Sequence, residues 1–374
     1  MTTHRDLQAR FALALTRIDE AEARRYAASW PILCARVNHT LAQRSDLRDL
    51  IGPNPFSVVQ SNHENHAAFL SSVFVLRSSQ CLTEVLVWVY RSYLARGFSA
   101  EYFVVQIAAW AEAIRVQQGA GDRAAGLLHF YDVLAESHGE MLKLAGDLSV
   151  PPAEALSVEA GSFLAALLRA DERTAEALTR AQMRQAVAEV PRWWERVVAP
   201  ALRTVGEMWS DGRISVAQEH MATAIAQRVM DRCFPDLPTP PERGVEIAIV
   251  LPPGERHELA GRMVRDCLVG EGFRVLFTGA DTPGDSVVAL VANNPIDVLI
   301  IPTTMPYNLI AAKDLIRAVR EKAGPRCPRI VVGGQAYLWD DKLWREVGAD
   351  ACPGTLRALV TDMESLCPSS AAPA

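Results

Sequence analysis

Everything before residue 234 reads as helix, with apolar positions recurring at amphipathic spacing, whereas from 245 onward short β-branched runs alternate with amphipathic stretches. The second pattern runs VEIAIVL, HELAGRMVRDCLVGEG, RVLFTG, DSVVALVANN, DVLIIP, NLIAAKDLIRAVREKAG, RIVVGG, DKLWREVG and LRALVTDMESL. Strand and helix in alternation predict a parallel sheet. Four clear strands and a weak fifth near Ala349 to Cys352 predict a flavodoxin-like, doubly wound domain whose ligand site lies beyond the carboxyl ends of the strands. FPDLPTPPERG places four prolines in eight residues, which forbids a continuing helix. SVPP at 149–152 marks a second break within the helical part. The expected organisation is multidomain, α and α/β: an N-terminal all-helical domain (1–150), a four-helix bundle (151–234), a Pro-rich linker (235–244) and a Rossmann-like domain (245–368). The terminal CPSSAAPA is expected to be flexible.

Composition narrows the partners. With 49% apolar and 22% charged residues the chain is globular, and a formal charge of −6 gives no basic footprint for direct nucleic-acid binding. No apolar run approaches the roughly 18 residues of a spanning helix, and MTTHRDLQAR lacks the apolar core of a signal peptide, so a cytoplasmic protein without a membrane partner is expected. Seven scattered cysteines with no CxxC pair read as reduced thiols.

The loops at the predicted ligand end of the sheet carry the chemistry. PPGERHELAG puts Glu255 two residues before His257 after the first strand. A carboxylate so close to an imidazole can take one ring N–H, fixing the tautomer and raising the basicity of the other nitrogen, as around metal-bound histidines. IPTTMP supplies Thr303, Thr304 and Met305 after the third strand, and VVGGQA supplies Gly333 and Gly334 after the fourth, where backbone can approach a ligand closely. Neither GxGxxG nor GxxxxGK[ST] is present, which removes the phosphate cradles of nucleotide-binding folds. Upstream, EMWSDGRISVAQEH sets Trp209 before an Asp211-Gly212 turn, and the Ser215/Gln218 pair predicts a capping box that starts a helix with Glu219 and His220 in its early turns.

Glu255-x-His257 with Ala260-Gly261 resembles the D/E-x-H-x-x-G motif of base-off, His-on cobalamin modules, with Ala260 where the motif has Gly. The resemblance implies His257 as lower axial ligand of cobalt, with Thr303, Thr304, Met305, Gly333 and Gly334 around the displaced nucleotide tail. Trp209, nine intervening residues and Glu219-His220 are similar to the W-x9-EH signature of light-sensing cobalamin photoreceptors. That family implies adenosylcobalamin, with Trp209 over the upper axial group and Glu219 and His220 lining the adenosyl pocket. Its repressors have a His directly after the Trp, and Ser210 stands there instead.

The domain order resembles the photocobilins, which join a bilin-binding domain to such a module, and implies biliverdin in the N-terminal domain. Arg77, Arg91, Arg96 and Arg115 are candidates for the propionates, and Cys81 for a thioether. The aromatic stripe from Trp88 to Trp110 also fits a helix–helix core, and His63 and His66, one turn apart, fit either a tetrapyrrole or metal contact or a solvated face. The expectation is a signalling photoreceptor, not an enzyme, acting through a homo-oligomer or a downstream protein. The alternative is a corrinoid carrier protein of a methyltransferase system.

Overall fold

The computed structural model describes residues 2–119, 122–147, 156–185 and 193–366 and divides into two compact units. The break at SVPP and the terminal CPSSAAPA lie outside the described residues.

The first unit comprises Met1–Pro151 with Ser210–Gly212 and Leu338–Leu343. Its helices are α1 (Thr2–Thr16), α2 (Glu20–Ala42), α3 (Leu47–Ile51), α4 (Phe56–Leu76), α5 (Ser79–Ala95), α6 (Ala100–Gln118), α7 (Ala125–Glu136) and α8 (His138–Asp147). Asp19 and Glu22 form a capping box at the start of α2, and the breaks between α3 and α4 and between α5 and α6 fall at GPNP and RGFS. The aromatic stripe is core: Trp110, Tyr26, Tyr102 and Tyr131 are fully buried, and Tyr90 stacks on Phe103 at 3.7 Å.

His63 and His66 are not a solvated face. His63 is buried between Asn38 Oδ1 (2.6 Å) and the Tyr102 hydroxyl (3.2 Å), and His66 Nε2 meets the Tyr131 hydroxyl at 3.1 Å. Burial lowers their pKa values to about 4 and about 3, so both rings are neutral near pH 7. Cys81 is buried, which pushes its thiol up to about 12, and in that state it is a packing residue rather than a nucleophile. Arg77 donates to the Leu15 carbonyl, Arg91 pairs with Asp211, and Arg115 pairs with Glu112 on the surface. Arg77, Arg91 and Arg115 thus have protein partners, and Ser210 shares a hydrogen bond with Ser92.

The second unit holds the other two layers. Its helical layer contains α9 (Val158–Leu168), α10 (Glu172–Gln185), a π-helical segment (Trp194–Val198) running into α11 (Ala199–Ser210), and α12 (Val216–Cys233). Phe163, Trp194, Ala222, Ala226, Val229 and Met230 form their common core.

The sheet is parallel, in the order β2-β1-β3-β4: β1 (Glu246–Ile249), β2 (Arg274–Phe277), β3 (Val298–Pro302) and β4 (Arg329–Gly333). Helices α13 (Leu259–Gly270), α14 (Gly284–Asn293), α15 (Leu309–Ala323), α16 (Leu343–Glu346) and α17 (Leu356–Glu364) follow or separate the strands. The weak fifth strand is reduced to a single parallel bridge between Val331 and Ala351. β3 is buried along its whole length, as expected for a strand covered on both faces. Strand order reverses between β1 and β3, and this switch point sets the ligand crevice.

Candidate cobalamin site

Glu255 joins two of the strand-end loops. It has no exposed surface, and its Oε1 accepts from His257 Nδ1 at 2.6 Å and from the His257 N–H at 3.1 Å. Its Oε2 accepts from the backbone N–H groups of Thr304 (2.9 Å) and Met305 (3.0 Å) and from Asn308 Nδ2 (3.0 Å). Burial alone would raise the carboxyl pKa, but the hydrogen bonds and charge of His257, with Asn308 and the Met305 N–H, outweigh it and hold Glu255 at about 2. The carboxylate therefore accepts from His257 Nδ1 and fixes the ring with Nε2 turned away from it. Nε2 has no protein partner among the described residues, and the side chain is 51% exposed. This is the donor set that a metal needing one imidazole requires.

The supporting loop is fastened from the other side. Asp281, in the left-handed region at φ 50°, accepts from the Gly254 N–H at 2.7 Å and donates its own N–H to the Glu255 carbonyl at 2.9 Å. Gly261 lets α13 lie close on the sheet, since a Cβ there would meet Phe277 Cε2 at 2.9 Å.

The strand-end residues divide into supports and lining. Thr303 is fully buried, its N–H on the Gly333 carbonyl (2.8 Å) and its hydroxyl 3.4 Å from that of Tyr337, so it supports the loop rather than offering a hydroxyl to a ligand. Thr304 and Met305 contribute backbone N–H groups to Glu255. Gly334 has φ 105°, and a Cβ on it would stand 2.4 Å from the Thr303 carbonyl oxygen. A Cβ on Gly333 would meet nothing within 4 Å. Gly333 and Gly334 border a cavity of about 210 Å³, walled by Ala260, Met263, Ile300, Val332 and Thr355 and reached by Glu195.

On the helical layer, Ser215 and Gln218 form the expected capping box and start α12. Met208 closes the preceding turn by accepting from the N–H groups of Arg213 and Ile214. Trp209 packs, partly buried, against the helical core. Glu219 accepts from Thr223 at 3.0 Å, and His220 is 73% exposed with Nε2 3.4 Å from Glu219. Glu219, Thr223, Gln227 and Asp231 share one face of α12. From that face Gln227 donates to Glu258 (3.1 Å) and Asp231 pairs with Arg262 (2.7 Å). Glu219 therefore stands two turns, about 12 Å along the axis, from the contact beside His257.

Sequence pattern does not mark Asn308, Asp281, Gln227 or Glu195 as site residues. Asn308 carries a faint signal in its place three residues beyond Met305. Glu195 has no local signal, because WERVV reads as amphipathic helix.

A helical bundle ahead of a flavodoxin-like sheet, with a carboxylate-oriented histidine beyond the first strand, defines a corrinoid-binding module. The comparisons agree: residues 160–233 and 246–360 each match a family model described as a B12 binding domain, and the chain carries a cobalamin-binding module. It is similar to monomethylamine corrinoid protein 2 of Methanosarcina acetivorans, with 24% identity over 159 residues covering 41% of this chain and 72% of the relative. It is also similar to the HTH-type transcriptional repressor CarA of Myxococcus xanthus, with 28% identity over 152 residues covering 40% of this chain and 49% of the repressor. The structure of the Methanosarcina barkeri monomethylamine corrinoid protein aligns with a TM-score of 0.47 at 20% identity, over 54% of this chain and 96% of that one. No helix among the described residues is long and apolar enough to cross a membrane.

Proposed function

We propose that the protein works by holding a cobalamin with its own base displaced and His257 as lower axial ligand. The observation that carries this reading is the Glu255–His257 pair, in which Nδ1 is held by a buried carboxylate and Nε2 is exposed. The residues fit the group in a second respect: the cavity beside Gly333 suits a displaced nucleotide base.

Two uses of the cofactor follow. Similarity to several monomethylamine corrinoid proteins supports a corrinoid carrier serving a methyltransferase system, and supports it more directly than light sensing. Light sensing is favoured by one feature a methyl carrier does not need, the Trp209, Glu219 and His220 set, which would cover and hydrogen-bond an adenosyl group. Similarity to a transcriptional repressor also favours a regulatory role. When bound, the cofactor supplies either a transferable methyl group or a light-labile adenosyl group on its upper face. In the sensor reading Trp209 would pack against an adenosyl group, and the cofactor would supply the light-labile bond whose cleavage would take that support from the helical layer. The change would pass to a homo-oligomer contact or a downstream protein. Biliverdin as a second chromophore in the N-terminal unit belongs to this reading and rests on domain order.

Reconstitution with adenosylcobalamin separates the two. Because the free cofactor is itself light-labile, the deciding readout is hydrodynamic. A change in sedimentation after green light, abolished in Trp209→Ala, is the sensor result. Unchanged sedimentation, with methyl transfer from methylcobalamin-loaded protein to a thiol acceptor by a partner methyltransferase, is the carrier result. A red or far-red band after co-expression with biliverdin tests the second chromophore.

A further inference from the structure

The cavity beside Gly333 and Gly334 is walled by the sheet, by α13 and by the helical layer. Strands β3 and β4 supply Ile300 and Val332, α13 supplies Met263, and the helical layer supplies Glu195 and Ala199. Its volume of about 210 Å³ takes a bicyclic base, whereas pockets that enclose a whole ligand measure about 300–1,000 Å³. A base that arrives joined to a ribose and a phosphate therefore needs a wall to give way. The sheet and α13 are firmly set: β3 and β4 pair over five residues, and α13 presses on the sheet at Gly261, where a Cβ would meet Phe277 Cε2 at 2.9 Å. The helical layer is held at the cavity by less. Glu195 sits in the π-helical segment Trp194–Val198, a local widening of the kind that recurs at functional positions. Its Oε1 accepts from the Leu356 N–H at 3.1 Å, and Leu356, the first residue of α17, borders the same cavity. This hydrogen bond ties the helical layer to α17 across the elements that enclose the cavity.

We infer that the Glu195–Leu356 hydrogen bond is a latch on this cavity, closed before and after the nucleotide tail of cobalamin enters and open while the tail passes. The inference rests on the reading that cobalamin binds base-off through His257. A contact present in both end states and broken between them sets how fast the cofactor exchanges, not how tightly it is held. Hydrogen bonds to charged groups are among the stronger ones in proteins, and breaking one on the way through slows passage by about tenfold or more.

The test uses the full chain and its Glu195→Ala and Glu195→Gln variants, with cobalamin and tail-less cobinamide as probes. Association is followed by quenching of tryptophan fluorescence, release by chasing radiolabelled probe with an unlabelled excess, and His ligation by the absorption spectrum. Glu195→Ala should speed both association and release of cobalamin about tenfold, keep its Kd within about twofold of wild type and leave both rates for cobinamide unchanged. Thr355 keeps its own bond to the Ala358 N–H at 3.0 Å, so α17 stays capped in that variant. Glu195→Gln, whose amide oxygen can still accept from Leu356, should fall between wild type and Glu195→Ala, and it decides the matter if Glu195→Ala does not fold. Unchanged cobalamin rates overturn the inference. Equal acceleration of cobinamide overturns it too, because Glu195 would then steady the helical layer and not the passage of the tail. Faster release with a weaker Kd and unchanged association also overturns it, since the contact would then belong to the bound state alone. Absence of a His-ligated spectrum in wild type overturns the parent reading as well, which is a distinguishable result.

Discussion

A single carboxylate organises the candidate cobalamin site. Glu255 commits one oxygen to His257 and the other to three donors from the loop and turn after β3, so the imidazole is oriented by the same group that ties two strand ends together. Its folded pKa of about 2 lies below the ordinary 4.5, so its contribution to stability is complete above about pH 4.5 and is lost as pH falls through 2. Replacing His257 by Ala leaves the Thr304, Met305 and Asn308 donors to Glu255 in place and removes the exposed nitrogen. The variant should fold with a melting temperature within a few degrees of wild type and bind cobalamin without a His-ligated absorption spectrum. Persistence of that spectrum would mean that another residue holds the metal.

Between elements, backbone shape and one buried charge decide more than side-chain identity. Gly333 and Gly334 are neighbours with opposite tolerances. Gly334→Ala forces a left-handed alanine onto the Thr303 carbonyl and should cost about 1–3 kcal/mol, read by urea denaturation. Gly333→Ala meets open space and should leave stability near wild type while narrowing the cavity. Asp266 on α13 is fully buried, and burial lifts its pKa to about 6 against the attraction of Arg265. Its folded pKa lies above the ordinary 3.8, so the stability it lends is complete below that value and disappears as pH rises through 6. Asp266→Asn should therefore match wild type near pH 4 and exceed it by about 2–3 kcal/mol at pH 8, the free energy that corresponds to a pKa lifted from 3.8 to about 6. Melting curves at the two pH values check the sign.

At the scale of the molecule, the candidate cobalamin-binding residues lie within one of the two compact units. Ligand binding stabilises only what it contacts, by about 2.7 kcal/mol at a hundred times Kd. Calorimetry of the whole chain should show two transitions, and added cobalamin should raise one of them. Equal upward shifts of both would show that the units unfold together.

The sheet, the helical layer ahead of it and the Glu255–His257 pair are legible in the chain because each is written locally. β-Branched runs mark strands, the Ser215/Gln218 capping box marks the start of α12, and a carboxylate two residues from a histidine needs no tertiary information to be noticed. The fate of His63 and His66 is not legible, since spacing of three on a helix is the same whether that face meets water or the hydroxyls of Tyr102 and Tyr131. Thr303 has the right place in sequence for a ligand contact, yet its hydroxyl turns to Tyr337, 34 positions away. Sequence by itself determined the order of elements, the parallel sheet and the chemistry at the end of β1. Tertiary structure decided which polar atoms remain unpaired, because a hydrogen-bonding group is used up by whichever partner folding brings near. Glu195 is the clearest case: it reads as one more helical glutamate until the Leu356 N–H of α17, 161 positions away, donates to one of its oxygens.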